Sequence, residues 1–180
     1  DTLLHNVLPC RRRVSPQCRG TIPNVSFRAA TRRAGTAPNS ARLTSTTPEI
    51  VLAAFDRLNL KPPVPPMESR WVESLPADAG WQFEPKWDGF RCVVFRDGDE
   101  IMLQSKAERP LERFFPEVAA AARSLDSRSF VLDGELIIPI GGILSFDALQ
   151  LRLHPAESRI RKLSGETPAQ LMLFGCLESE

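Results

Sequence analysis

The sequence has few of the residues that bind structural metals or build disulfide frameworks. Its 180 residues include only four cysteines and two histidines, and no two cysteines form a Cys-x-x-Cys pair. This distribution argues against a zinc site and favours reduced thiols. No apolar run approaches the roughly 18 residues of a membrane-spanning helix, and the first residues lack the charge order of a secretory signal. The sequence therefore predicts a cytoplasmic protein without a membrane partner.

Positive charge is concentrated at the N-terminal end of the chain. Up to Leu60 there are nine arginines and three acidic residues, a charge of +6, and since the whole chain is +1 the remainder carries −5. Prolines interrupt this basic arm and no periodicity is sustained up to about Thr47, which predicts disorder. One short helix over 48–60 fits the pattern. The proline-rich run 61–66 predicts an extended connector.

The rest of the chain, 67–180, predicts one folded domain after a disordered extension over 1–66. Strands are predicted at 81–84, 90–96, 100–105, 130–138 and 170–177, and helices at 116–125, 146–153 and 156–163. Strands and helices do not alternate regularly, so the predicted fold class is α+β rather than a doubly wound sheet.

Lys86 is the first candidate for chemistry because it precedes a sharp Asp-Gly turn at 88–89. Such a turn can direct a side chain into a cleft. A lysine nucleophile has to lose a proton, which desolvation or neighbouring positive charge favours. Large apolar residues flank the turn, and Arg91 offers a positive charge and a planar fork for phosphate. The alternative is a surface lysine beside an ordinary turn.

Asp133 and Glu135 interrupt the most apolar predicted strand. Strand alternation places both carboxylates on one face. They are costly on a buried strand unless a cation or a hydrogen-bond donor meets them. Mg²⁺ or a ribose hydroxyl would do so, which makes both residues candidate metal ligands. The alternative is a strand end open to solvent, with ordinary ion pairs to arginine.

Phe174 and Lys106 are further candidates for nucleotide contacts. Phe174 lies in the last apolar strand and can stack on a base, with core packing as the alternative. Lys106 follows the strand 100–105. It can meet phosphate, with a solvated surface lysine as the alternative.

Together these segments resemble the adenylation domain of ATP-dependent DNA ligases, most closely that of bacterial end-joining ligases. The family's first motif is matched by Glu84-x-Lys86-x-Asp88-Gly89-x-Arg91, and its third by Asp133-Gly134-Glu135. The segments 105–117 and 146–150 resemble those that flank the third motif. The resemblance extends from about Met67 to Leu177.

The resemblance implies a nucleotidyltransferase domain of the ATP-grasp-like type, with a mostly antiparallel sheet and flanking helices. It implies that Lys86 attacks the α-phosphate of ATP with Mg²⁺ or Mn²⁺, that AMP passes to a DNA 5′-phosphate, and that the nick is sealed. Glu84 would lie beside the adenine, Arg91 near phosphate or ribose, Glu135 on ribose or metal, and Phe174 against the base.

The same resemblance implies nicked double-stranded DNA as partner, with a role in DNA repair, recombination and replication at the bacterial nucleoid. End-joining repair proteins would be further partners. Lys106 would contact phosphate, although the family usually has arginine there, and Gly175 stands where aspartate usually follows the aromatic. The later motifs are missing, so we expect a fragment that requires a C-terminal half.

Two other functions remain open. RNA ligases and mRNA-capping-type lysine nucleotidyltransferases share the Lys-x-Asp-Gly signature. A non-catalytic remnant would bind nucleic acid by the charge of its basic arm alone. An adduct with GTP but not ATP would identify a capping-type enzyme, and the absence of any adduct would favour the remnant.

Overall fold

The computed structural model describes residues 6–9, 54–68, 81–84 and 86–180 of the chain. Within these ranges there are eight strands and three helices. The strands are β1 Asn6–Pro9, β2 Trp81–Glu84, β3 Phe90–Asp97, β4 Glu100–Ser105, β5 Ser129–Ile137, β6 Pro139–Ile140, β7 Ile143–Leu144 and β8 Gln170–Ser179. The helices are α1 Pro116–Arg123, α2 Phe146–Arg152 and α3 Glu157–Glu166. None of these helices is long and apolar enough to cross a membrane.

A four-stranded antiparallel sheet in the order β4-β3-β5-β8 forms the centre of the fold. A tight turn joins β3 to β4, and Gly98 has a φ of 64° there, a left-handed conformation that glycine adopts without steric cost. The hairpin β6–β7 turns through two glycines that also have positive φ. The mixed composition and antiparallel pairing agree with the predicted α+β class.

The helices begin where local sequence signals predict. Pro116 occupies the first turn of α1, where its missing N–H costs nothing. Ser145 caps α2, and its Oγ accepts a hydrogen bond of 3.2 Å from the Ala148 amide. The helix α3 begins one residue after its predicted start and continues to Glu166.

The two faces of the sheet are covered by different parts of the chain. Cys92, Val94 and Leu136 bury one face, together with apolar residues of α1 and α2. Val93 and Phe95 bury the other face. Because side chains alternate along a strand, the face that carries Val93 and Phe95 also carries Arg91.

The described segment 54–68, which we call the strap, packs on the second sheet face. Its Phe55, Leu58 and Val64 are buried there with Val93 and Phe95. Packed residues therefore precede the predicted boundary at 66/67. The physical reason is that this sheet face is apolar and has to be covered. The first part of the predicted helix, 48–53, lies outside the described residues.

The basic arm also departs from the prediction at one point. The sequence predicts no regular structure before Thr47, yet Asn6–Pro9 pairs antiparallel with Trp81–Glu84. Backbone pairing needs no side-chain periodicity, which explains why four residues gave no signal. The other residues of the arm lie outside the described ranges.

One buried network joins α1, α2 and the start of β8. Arg152 is completely buried, and its Nη2 donates to the Phe114 carbonyl and to Glu117, each at 2.8 Å. The other carboxylate oxygen of Glu117 accepts from the Ala169 amide at 2.9 Å. Because each partner belongs to a different element, the network fixes how the helices meet the sheet.

Candidate active site

A cavity of about 920 Å³ lies at one end of the second sheet face. Five of the predicted site residues line it: Lys86, Arg91, Lys106, Glu135 and Phe174. They come from a loop, three strands and a turn, so the fold brings together residues that are up to 88 positions apart in sequence. The side chain of Glu84, also predicted to bind nucleotide, lies outside the described part of the chain.

The loop that carries Lys86 is pressed against β5 at Gly89. A Cβ atom at this position would lie 2.1 Å from the Leu136 carbonyl oxygen and 2.8 Å from Cγ of Glu135. The Gly89 amide donates to the Glu135 carboxylate. Only glycine permits this approach, so the residue does more than form the predicted turn: it holds the lysine loop beside Glu135.

Lys86 itself is an exposed side chain on the cavity wall. The sequence predicts that flanking aromatic residues desolvate it, but Phe90 packs edge-on against Phe115 and Phe146, with ring centroids 6.3 and 5.5 Å away. Lys86 interacts electrostatically with Glu135. Its amine is therefore solvent-accessible rather than desolvated, although the cavity that it lines also has apolar walls.

Arg91 is held by Asp133 through a bidentate ion pair. Nε and Nη2 donate to the two carboxylate oxygens at 2.7 Å each. The register explains the contact: Arg91 is opposite Glu135 and Val93 is opposite Asp133, so the pair is diagonal on one face. A ligand would meet the remaining Nη1 side of the guanidinium.

This pairing changes the interpretation of Asp133. The residue is only 4% exposed and is not among the residues that line the cavity. Both of its oxygens are engaged by Arg91, which does not favour the predicted role as metal ligand. The ion pair to arginine matches one part of the alternative that the sequence left open, but Asp133 is buried rather than at a strand end open to solvent.

Phe174 reaches the cavity because β8 bulges there. Leu173 is opposite Gly134 and Gly175 is opposite Asp133, so Phe174 is the additional residue. Bulges redirect side chains next to functional sites, and Phe174 lies under Arg91, whose Cζ is 4.2 Å from the ring centroid. The aromatic ring therefore belongs to the cavity wall.

Glu135 carries the most perturbed charge that faces the cavity. Burial raises the pKa of Glu135 to about 7, against the lowering effects of Arg91, the Gly89 amide and Lys86. Near neutral pH the group therefore exists in both forms. As a carboxylate it accepts hydrogen bonds from a sugar hydroxyl or binds a cation, and as an acid it donates.

The donor set at the cavity suits a cation that arrives with a phosphate ligand. Among the described residues, no group of three or more His, Cys, Asp or Glu side chains can hold a metal. Mg²⁺ is commonly bound by one or two carboxylates together with substrate phosphates. Glu135 supplies one carboxylate here, so it fits a nucleotide-bound Mg²⁺ or Mn²⁺.

Comparison with known proteins identifies the family. Residues 69–180 match the ATP dependent DNA ligase domain. The chain belongs to the ATP-dependent DNA ligase family. It is 50% identical over 121 residues to DNA ligase C of Mycobacterium tuberculosis, and the aligned region covers 67% of this chain and 33% of that ligase. It is 45% identical over 125 residues to DNA ligase C1 of Mycolicibacterium smegmatis, which covers 67% and 36%.

The chain thus spans about a third of the length of these ligases. A solved structure, the ligase domain of M. tuberculosis LigD, is 28% identical and covers 53% of this chain and 29% of its own, with a TM-score of 0.42. The ligase match confirms the predicted resemblance, and its range includes Lys86, Arg91, Lys106, Glu135 and Phe174.

One cavity residue of this ligase-family chain had no sequence signal. Glu68 lies at the end of the strap, just before the matched range, and forms an ion pair of 2.9 Å with Lys106. Both side chains are exposed and both line the cavity. No motif pointed to Glu68, because its position depends on how the strap packs on the sheet.

Proposed function

We propose that this chain performs the nucleotide-activating step of ATP-dependent DNA ligation, the transfer of AMP from ATP to Lys86. The domain would be a nucleotidyltransferase of the ATP-grasp-like type. One observation carries the proposal: a lysine, an anchored arginine, a carboxyl group and an aromatic ring line one cavity in a chain of the ligase family.

In the proposed step the Lys86 amine attacks the α-phosphorus of ATP. A phosphorus–nitrogen bond forms, the bond from the α-phosphorus to the bridging oxygen breaks, and its electron pair leaves with pyrophosphate. The proton of the amine passes to solvent, to which Lys86 is exposed. Such covalent catalysis divides one difficult transfer into two easier steps. A bound Mg²⁺ or Mn²⁺ would neutralise charge on the phosphates.

The remaining cavity residues have roles that follow from their chemistry. Arg91, fixed by Asp133, directs its Nη1 side towards phosphate or ribose oxygens. Glu135 faces the ribose hydroxyls or the metal, and Phe174 offers an aromatic face to the base. Lys106 provides a point charge for phosphate rather than a fork.

The later steps of ligation belong to the same proposal. AMP would pass from Lys86 to the 5′-phosphate at a nick in double-stranded DNA, and a 3′-hydroxyl would then displace AMP and seal the strand. The names of the similar proteins, DNA ligase C and the end-joining protein LigD, support DNA repair as the setting. A location at the bacterial nucleoid is part of the proposal.

Lys86→Arg tests the first step, because arginine keeps the charge but is not a nucleophile at neutral pH. The 180-residue chain is incubated with Mg²⁺ and α-labelled ATP or GTP, and the adduct is mapped by peptide mass spectrometry. We expect AMP on Lys86 in the wild-type chain and no adduct in the variant. An adduct on another residue would contradict the proposal, and a GTP-only adduct would indicate a capping-type enzyme.

A further inference from the structure

We propose that Gln104 is a positioning residue for nucleotide binding, because it clasps the strap so that Met67 and Glu68 form one wall of the cavity. The inference rests on the proposed function and extends it to residues that precede the matched ligase range. No motif of the sequence assigns a role to Gln104 or to the strap.

Two carboxylates fix the first part of the strap. The backbone amide of Arg57 donates to Asp97 at 3.0 Å, and its guanidinium forms an ion pair with the same carboxylate. Two and three residues further on, the amides of Asn59 and Leu60 donate to Glu178 at 2.9 and 2.8 Å. These contacts hold the strap along the sheet, away from the cavity.

Apolar burial adds to this attachment. Phe55 and Leu58 are 4% and 2% exposed, and the Phe55 ring meets Phe95 edge-on with centroids 6.3 Å apart. The strap thus covers the apolar half of the sheet face whose other half carries Arg91. The chain then leaves the apolar half and enters the cavity wall at Pro66.

Gln104 stands at this transition. Its side chain is completely buried, its Oε1 accepts from the Val64 amide at 3.0 Å, and its Nε2 donates to the Val64 carbonyl at 2.7 Å. Both polar groups of the Gln104 side chain are therefore hydrogen-bonded to the backbone of Val64. An apolar side chain would fill the space but would leave the Val64 backbone unpaired, which is costly in the interior.

In both segments, the residues that follow the clasp line the cavity. Val64 is followed by Pro66, Met67 and Glu68, and Gln104 by Ser105 and Lys106. The ion pair between Glu68 and Lys106, at 2.9 Å, joins the two segments again at the rim. The two segments are thus joined by a buried contact, Gln104–Val64, and by an exposed contact at the cavity, Glu68–Lys106. Loss of the buried contact should therefore free Met67 and Glu68 to move away from the cavity.

A purely structural clasp makes a different prediction from a positioning residue, and Glu178 provides the matched control. It holds the same strap through Asn59 and Leu60, but it does not line the cavity. Gln104→Leu and Glu178→Ala should both weaken the attachment of the strap. Only Gln104→Leu should alter nucleotide binding, since only that clasp adjoins the cavity wall.

The experiment measures the rate of Lys86 adenylation against ATP concentration in the full 180-residue chain. We expect Gln104→Leu to raise the half-saturating ATP concentration about tenfold while the maximal rate stays within about twofold. Gln104→Glu keeps an acceptor for the Val64 amide, but its ionised form cannot donate to the Val64 carbonyl and is costly in the interior, so it should also raise the half-saturating concentration. Glu178→Ala should leave the half-saturating ATP concentration unchanged.

Hydrogen exchange provides a second measurement. Exchange of the peptide that contains Val64 should slow on addition of ATP in the wild-type chain only.

Equal shifts in Gln104→Leu and Glu178→Ala would overturn the inference, as would a loss of maximal rate alone or no change in Gln104→Leu. If Gln104→Leu does not fold, the comparison between Gln104→Glu and Glu178→Ala decides in the same way. A wild-type chain that binds ATP without forming an adduct would overturn the proposed function alone, and dissociation constants would then replace the half-saturating concentrations. A wild-type chain that does not bind ATP would overturn both.

Discussion

At the scale of single residues, Glu135 shows how the fold sets the properties of one charge. Its carboxyl group is half-buried between the Gly89 amide and Arg91. Burial outweighs these favourable partners and raises its pKa to about 7, from an ordinary value of 4.5. The ionised carboxyl therefore costs free energy in the folded chain until a ligand provides further donors or a cation.

Glu135→Gln should make the stability less sensitive to pH. The unfolded carboxyl ionises near pH 4.5 while the folded one holds its proton to about pH 7, so the folded state binds more protons between these values and stability falls as pH rises through that window. We expect the variant to be more stable than wild type by about 1–2 kcal/mol at pH 8, after allowance for solvent screening. Below pH 4.5 this pKa contribution should vanish.

Urea unfolding of both chains between pH 4 and pH 8 provides the measurement. A difference in unfolding free energy that does not change with pH would contradict the assigned pKa. The same Glu135→Gln chain should also form less Lys86 adduct, because the amide cannot act as an anionic ligand.

Motif spacing and strand alternation predicted Lys86, Arg91 and Glu135 as site residues, and the structure places all three on the wall of one cavity. The ion pair of Asp133 with Arg91 could not be located from the sequence, because it depends on which residues face each other across two strands. Glu68 was missed for a similar reason, since the strap alone brings it to Lys106.

At the scale of elements, Arg152 connects the segment before α1, α1 itself and the segment between α3 and β8. It is completely buried, and its Nε has no hydrogen-bond partner within the described residues. A buried ion pair of this kind stabilises little in total, but the loss of one partner strands the other in the interior. Loss of Arg152 would leave the carboxylate of Glu117 without its cation, in a side chain that is only 9% exposed.

Arg152→Ala should therefore lower the free energy of unfolding by about 3–5 kcal/mol. The control is Arg161→Ala, which removes an exposed ion pair to Glu157 on α3 and should cost at most about 0.5 kcal/mol. Denaturant unfolding of the two variants tests the contrast. Similar small losses in both would show that Glu117 finds other partners.

The positions of most elements were predictable, and their irregularities were not. Turn residues, Pro116 and Ser145 gave the ends of hairpins and helices. The bulge at Phe174 gave no signal in the sequence, because it arises from the pairing of β8 with β5, in which Phe174 has no opposite residue. Arg96 was also missed: it is buried in a strand and donates to the backbone carbonyls of Gly98, Ala122, Leu125 and Ser127.

At the scale of the whole molecule, the strap extends the packed part of the chain to residues before the predicted boundary. Proline content and composition placed the boundary after Pro66, because a proline-rich run forms no regular helix or strand. Such a run can still pack, and Val64 is 7% exposed within it. The sequence could not show this, since burial of an irregular segment depends on the sheet face that it covers.

Leu58→Ala tests whether the strap belongs to the cooperative unit. Leu58 is 2% exposed, and the cavity left by its truncation should cost about 2–4 kcal/mol. Leu151→Ala is the control, because Leu151 is 50% exposed on α2 and should cost less than about 0.5 kcal/mol. Thermal and urea unfolding provide the measurement. Equal stability of the two variants would show that the strap folds independently.

The two outer strands of the central sheet, within the described residues, are irregular in ways that disfavour pairing with a foreign strand. Within the described residues β8 forms one edge, and its two register shifts in ten residues break the even row of backbone groups that a foreign strand would copy. At the other edge Pro110 bridges to Gln104 and offers no N–H. Templated aggregation along this sheet is therefore disfavoured at both ends by the same distortions that shape its interior.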